Sequence, residues 1–96
     1  PTGSPAAWLG DVVATAKRDL APGETLDGEG GYTVFGKLMP ASDSLLCGGL
    51  PIGLAHQVRL KNPVQQGASV RWQDVEIDES GETVRVRREM ERLFAA

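Results

Sequence analysis

At 96 residues, 41% hydrophobic and 24% charged, the chain has the length of one domain with a single modest core and the composition of a soluble globular protein. A net charge of −3, with the arginines of residues 85–92 interleaved among Glu82, Glu89 and Glu91, excludes a nucleic-acid module built on a basic stripe. No window is apolar enough for a membrane span, and a single cysteine, Cys47, excludes an intrachain disulfide and reads as a small buried thiol of a cytoplasmic protein.

Residues 1–10 read as a linker or N-terminal arm. They open on Pro1-Thr2-Gly3-Ser4-Pro5, lack an initiating Met and carry Trp8 and Leu9, as expected of a domain cut from a longer chain. They show no charged n-region followed by an apolar h-region. Residues 11–20 are small, apolar and alternating, a strand. Ala21-Pro22-Gly23-Glu24 supplies a tight turn, because Pro presets φ at one corner and Gly tolerates a positive φ at the next. Residues 27–31 are a glycine loop, and Tyr32-Thr33-Val34-Phe35 a short strand of strong β formers. Residues 40–46 predict one helical turn, begun at Pro40 and stopped by Cys47-Gly48-Gly49.

Residues 56–70 then repeat residues 12–26. With Gly67 laid on Gly23, Lys61 falls on Lys17, Val64 on Leu20, Val70 on Leu26, and Val58 and Leu60 on Ala14 and Ala16. Each copy is a strand, a glycine turn and a second short strand, placed in the second copy at residues 57–60 and 69–72. Two units, each too small to bury a core, predict a mainly β body over residues 11–78 with an internal pseudo-two-fold. Gly23 and Gly67 are its structural turns.

Residues 79–96 follow a different period. Val86, Met90, Leu93 and Phe94 recur at helical spacing and predict an amphipathic helix over about residues 82–94. The stripe must bury against the β body or another part of a parent protein, which makes it a candidate association surface. Arg85–Glu89 and Arg87–Glu91 are i, i+4 pairs placed on the wetter faces, worth about 0.3 kcal/mol each.

Chemistry-bearing patterns are sparse. Gly28-Glu29-Gly30-Gly31 has Thr33 where a dinucleotide fingerprint needs its third glycine, and extended chain where it needs a helix. Ser42, Asp43 and His56 form the nearest approach to a hydrolytic set, but Ser42 has no nucleophile-elbow sequence around it. Glu24, Asp27 and Glu29 are oxygen donors in a solvated loop, and one His with one Cys gives no metal-ligand spacing. Hence no catalytic, cofactor-binding or metal-binding residues are assigned.

Ala16-Lys17-Arg18-Asp19-Leu20-Ala21-Pro22-Gly23-Glu24 closely resembles the opening signature of the SAF (antifreeze-like) family. The likeness continues through residues 40–46, Pro51-Ile52-Gly53 and residues 59–74. That resemblance implies the β-clip or "pretzel" fold of many short strands. A narrower resemblance rests on residues 27–41, on Leu50-Pro51-Ile52-Gly53-Leu54-Ala55-His56 and on Arg87-Arg88-Glu89-Met90-Glu91. These are similar to the C-terminal SAF region of bacterial homoserine-dehydrogenase-like and deoxyxylulose-phosphate-reductoisomerase-like oxidoreductases. In that group an N-terminal Rossmann domain holds NAD(P), so the resemblance implies NAD(P) for a parent protein, with none held by this chain.

In sialic-acid synthases, SAF relatives, a basic SAF residue helps complete the partner subunit's active site. That makes Lys37, in the loop before the one-turn helix, together with Arg59 and Lys61, candidate substrate contacts. The expected role is therefore a non-catalytic module that associates with the Rossmann or catalytic domain of its parent, or with a second copy, or that covers the substrate site. The alternative is a free-standing carbohydrate or small-ligand binder, for which Trp8, Tyr32, Phe35, Trp72 and Phe94 are the only aromatic platforms. Neither nucleic acid nor membrane is an expected partner.

Overall fold

The computed structural model describes residues 10–95, so residues 1–9 of the expected arm, with Trp8, lie outside the described residues, while Gly10 belongs to the first strand and not to an arm. The first repeat opens as β1 (Gly10–Ala16), whose last four residues are all buried. They are Val13, Ala14, Thr15 and Ala16, small enough for a strand to be covered on both faces. β1 pairs antiparallel along its whole length with β3 (Val34–Pro40), Gly10 opposite Pro40 and Ala16 opposite Val34. A second antiparallel sheet sets β4 (His56–Leu60) between β2 (Thr25–Asp27) and β5 (Val75–Glu76). Where β2 meets β4 the register skips Gln57, which takes a left-handed φ of +59°. This is a bulge that ends the pairing.

The two repeats close on each other. Leu20 and Val64 exchange both backbone hydrogen bonds, at 2.8 and 3.0 Å. The Gly23 N–H donates to the Leu60 carbonyl at 2.8 Å, and the Gly67 N–H to the Ala16 carbonyl at 2.9 Å. The Leu60 N–H reaches Glu24 at 2.8 Å, and the Ala16 N–H reaches Ala68 at 3.0 Å. Every bond in this set maps onto another by the same 44-residue offset that aligns the sequences, the pattern a local two-fold axis produces. Gly23 (φ +92°) and Gly67 (φ +83°) occupy equivalent corners that a Cβ would strain.

Between the sheets lies one dry core centred on Leu26, Leu50, Leu60, Val34 and Val70, all essentially inaccessible to water. Burying each such side chain is worth about 1.5–3 kcal/mol. The result is a small, mainly β domain of mostly antiparallel strands in two sheets, with a C-terminal helix.

Several expected boundaries move. The 11–20 strand stops at Ala16. The strand expected at residues 32–35 instead runs through Val34–Pro40, because β1 supplies partners for Gly36 and Lys37 that local sequence does not reveal. In place of a strand at residues 69–72 there are single bridges, Thr15 to Ser69 and Gly49 to Arg71, followed by a tight turn at Trp72–Asp74.

The helical turn forms as α1 (Ala41–Cys47), led in by Pro40 and ended by Gly48. Cys47 is exposed, not buried, because the buried face of α1 consists of Ala41 and Ser44.

The largest correction concerns α2 (Glu82–Ala95). Its apolar stripe does not face the β body. Val86 is 63% and Leu93 45% exposed and Met90 half-buried, while the buried positions are Val84 and Glu91, with Arg87 beside them. Arg87–Glu91 therefore lies on the docked face, not a wetter one. The body offers this helix a carboxylate and an indole N–H, and charged side chains match those better than apolar ones. The Phe94 side chain lies outside the described residues.

Candidate functional site: the charged seam and cleft under the C-terminal helix

Asp11, near the start of β1, anchors the seam. It accepts hydrogen bonds from the Ser44 hydroxyl of α1 and from both terminal nitrogens of Arg87, one of them at 2.9 Å. Burial opposes its charge. The bonds from Arg87 and Ser44 outweigh that cost and hold the carboxyl below the ordinary aspartate range. Arg87 also donates through Nε to Glu91 at 2.8 Å, and Glu91 in turn accepts the Trp72 indole N–H at 3.2 Å. Burial works against the Arg87 cation too, but its two carboxylate partners prevail and raise its pKa further. No buried side-chain nitrogen or oxygen among the described residues lacks a hydrogen-bond partner.

The seam opens into a cleft of about 510 Å³ whose lining includes Lys61, Arg71, Trp72, Glu76, Glu79 and Arg88. The Arg88 guanidinium stacks 3.7 Å from the Trp72 ring centroid. It also bonds Glu79 at 3.1 Å and Glu91 at 3.0 Å. Arg88 thus occupies one face of the Trp72 ring. Arg71 leans on Asp74 at 3.6 Å. Lys61 forms no ion pair among the described residues, and its backbone N–H is bound to the Asp74 carbonyl at 2.7 Å. Among the described residues the cleft thus presents the Lys61 ammonium beside cations already engaged.

The candidate contacts do not converge on this cleft. Lys61 lines it, at the end of β4. Arg59 is exposed on β4 and sits 3.8 Å from Glu76 of the neighbouring strand. Lys37 is on the other sheet, opposite Val13 in β3, and not in a loop before α1.

Ser42, Asp43 and His56 are all exposed, and no hydrogen bond joins them among the described residues. The loop acids have local structural tasks. Glu24 accepts from Arg18 at 2.6 Å and from the Ala21 N–H at 2.7 Å. Asp27 accepts from the Thr33 hydroxyl and from the backbone N–H groups of Tyr32 (2.7 Å) and Thr33 (3.0 Å), which lowers its pKa to about 2. No group of three or more metal-ligating side chains is assembled among the described residues, nor is any helix there long and apolar enough to cross a membrane. Gly28 to Gly31 forms a turn leading into β3 rather than a helix.

The seam itself escapes a reading based on apolar period. Its only local signal is Val84, Arg87 and Glu91, which share a helix face at i, i+3 and i+7. No protein-family model matches the chain, and no curated protein matches it.

Proposed function

We propose that residues 11–78 are a SAF-type β-clip and that, with α2, they serve as the non-catalytic C-terminal module of an NAD(P)-dependent, homoserine-dehydrogenase-like oxidoreductase. The module holds subunits or domains together, or covers the substrate site, while a Rossmann domain elsewhere in the parent carries the cofactor. The observation that carries this reading is the orientation of α2. Its docked face is satisfied by ionic bonds to the body, and of its apolar stripe Val86 and Leu93 are exposed and Met90 half-buried, away from the core formed by the described residues. An uncovered stripe of this kind marks a surface meant for a partner. The paired hydrogen bonds of the two repeats support the β-clip assignment.

The test has two arms. The isolated chain, titrated calorimetrically with NADH and NADPH, should bind neither. The parent enzyme lacking this region should lose its quaternary state or its kcat/KM. Micromolar cofactor binding by the chain alone, or a truncated parent with assembly and turnover intact, overturns the proposal.

A further inference from the structure

Four charges run along one edge of the exposed stripe of α2: Glu82, Arg85, Glu89 and Arg92, all exposed. Their spacings of three, four and three residues keep them on a single edge, because a helix advances about 100° per residue. Val86, Met90 and Leu93 occupy the adjacent strip and, with Glu82, Arg85 and Glu89 of this edge and Ser80 before the helix, line an open groove of about 780 Å³. By the same rotation per residue, the apolar strip lies roughly 125° and the charged edge roughly 145° around the helix from the docked face of Val84, Arg87 and Glu91, on opposite sides of it. A second helix can therefore lie along them without touching the β body.

We infer that this surface takes a second copy of itself, with the two α2 helices antiparallel about a two-fold axis that crosses the exposed stripe level with residue 87. The charge order decides both the partner and the direction. In an antiparallel helix pair each edge faces the same edge of the partner. Crossing at residue 87 sets Glu82 level with the partner's Arg92 and Arg85 level with the partner's Glu89, and the two-fold repeats both pairs. All four junctions are of opposite sign. The same crossing brings Val86 within two residues of the partner's Met90, about 3 Å along the axis, so the apolar strips meet under the charged rim. A parallel pair would instead put the two charged edges on opposite sides of the shared axis, and none of the four junctions would form. In the isolated chain Arg92 is held by Glu89 on its own helix, a surface pair cheap to exchange.

This inference deepens the association role proposed above and rests on it. It is tested on the full 96-residue chain by sedimentation equilibrium over a hundredfold range of concentration, with circular dichroism confirming the fold of each variant. The wild type should show a reversible monomer–dimer equilibrium. E82R/E89R makes the edge wholly basic and R85E/R92E makes it wholly acidic. Each variant alone should dimerise at least about tenfold more weakly, as like charges replace opposite ones at every junction. Mixed in equal amounts, the two variants should recover a dimer at least as tight as the wild type. A wild type that stays monomeric throughout, a single-sign variant that dimerises like the wild type, or a mixture that stays monomeric would each overturn the self-pairing. Those outcomes leave the truncated-parent experiment to judge the association role separately.

Discussion

The β body and the seam beneath α2 are held together by opposite kinds of chemistry. Inside the body Leu26, Leu50, Leu60, Val34 and Val70 meet without a polar atom among their side chains. Under the helix Asp11, Ser44, Arg87, Glu91 and Trp72 form a hydrogen-bonded chain, with Val84 the main apolar contribution. A dry core tolerates approximate shapes, and its strength grows with area. An ionic seam depends on each member being present, because one missing partner strands a buried charge. The body should therefore lose stability gradually under mutation, whereas the helix should stay docked or come away as a unit.

The largest effect is expected at Leu50, which is fully buried between the two repeats. Leu50→Ala should destabilise the whole domain by about 2–5 kcal/mol in urea denaturation. A loss well under about 1 kcal/mol would mean that the core can collapse around the gap.

Arg87→Met should cost about 3 kcal/mol by taking the guanidinium from the buried Asp11 carboxylate and leaving Glu91 only Arg88, and hydrogen exchange should locate the loss in α2. Adding Asp11→Ala should cost less than the sum of the two single changes, by about 1–3 kcal/mol of coupling. Strict additivity would show that the seam is not a network.

Within the body, Gly67→Ala should cost about 1 kcal/mol from backbone strain alone, since a Cβ there meets nothing within 4 Å. Gly23→Ala should match it, the nearest atom being the Arg59 guanidinium at 3.6 Å. Melting temperatures that differ sharply between the two would show that the repeats are not equivalent in energy.

The smallest effect is one of pH. The Asp11 carboxyl is held below its usual 3.8, so its contribution is complete above that value and fades as the pH falls through the lowered one. On acidification α2 should leave before the β body melts, followed by the fluorescence of Trp72 in a Trp8→Phe variant against far-ultraviolet dichroism. Simultaneous loss of both signals would join the two regions into one cooperative unit.

How far this was legible from sequence depends on where each partner lies. The repeat could be read directly, since the offset that lays Val64 on Leu20 is also the offset of the hydrogen bonds. The glycine corners, the short helix after Pro40 and the start of α2 near Glu82 likewise carry local signals. Pairings with distant chain do not. Gly36 and Lys37 look like loop residues until β1 is placed beside them, and Cys47 looks buried until α1 turns Ser44 inward to Asp11. Counting apolar residues finds the best stripe on α2, but the β body chose another face, guided by one aspartate at the beginning of the chain and one indole before the last strand. The candidate cleft inherits the same difficulty. Of Lys37, Arg59 and Lys61, only Lys61 reaches it, because a basic residue's position in sequence does not say which sheet will carry it.

The interlocking of the repeats also fixes the order in which the chain can mature during synthesis. The Ala16 amide waits for the carbonyl of Ala68, that of Gly23 for Leu60, and that of Leu20 for Val64. A nascent chain that has emerged only through α1 therefore holds a sheet edge and a glycine corner with no acceptors to meet them. Contacts this distant in sequence close late and slowly. The first half must remain solvated until the second turn emerges, and the small, weakly sticky alanines of β1 suit a strand obliged to wait.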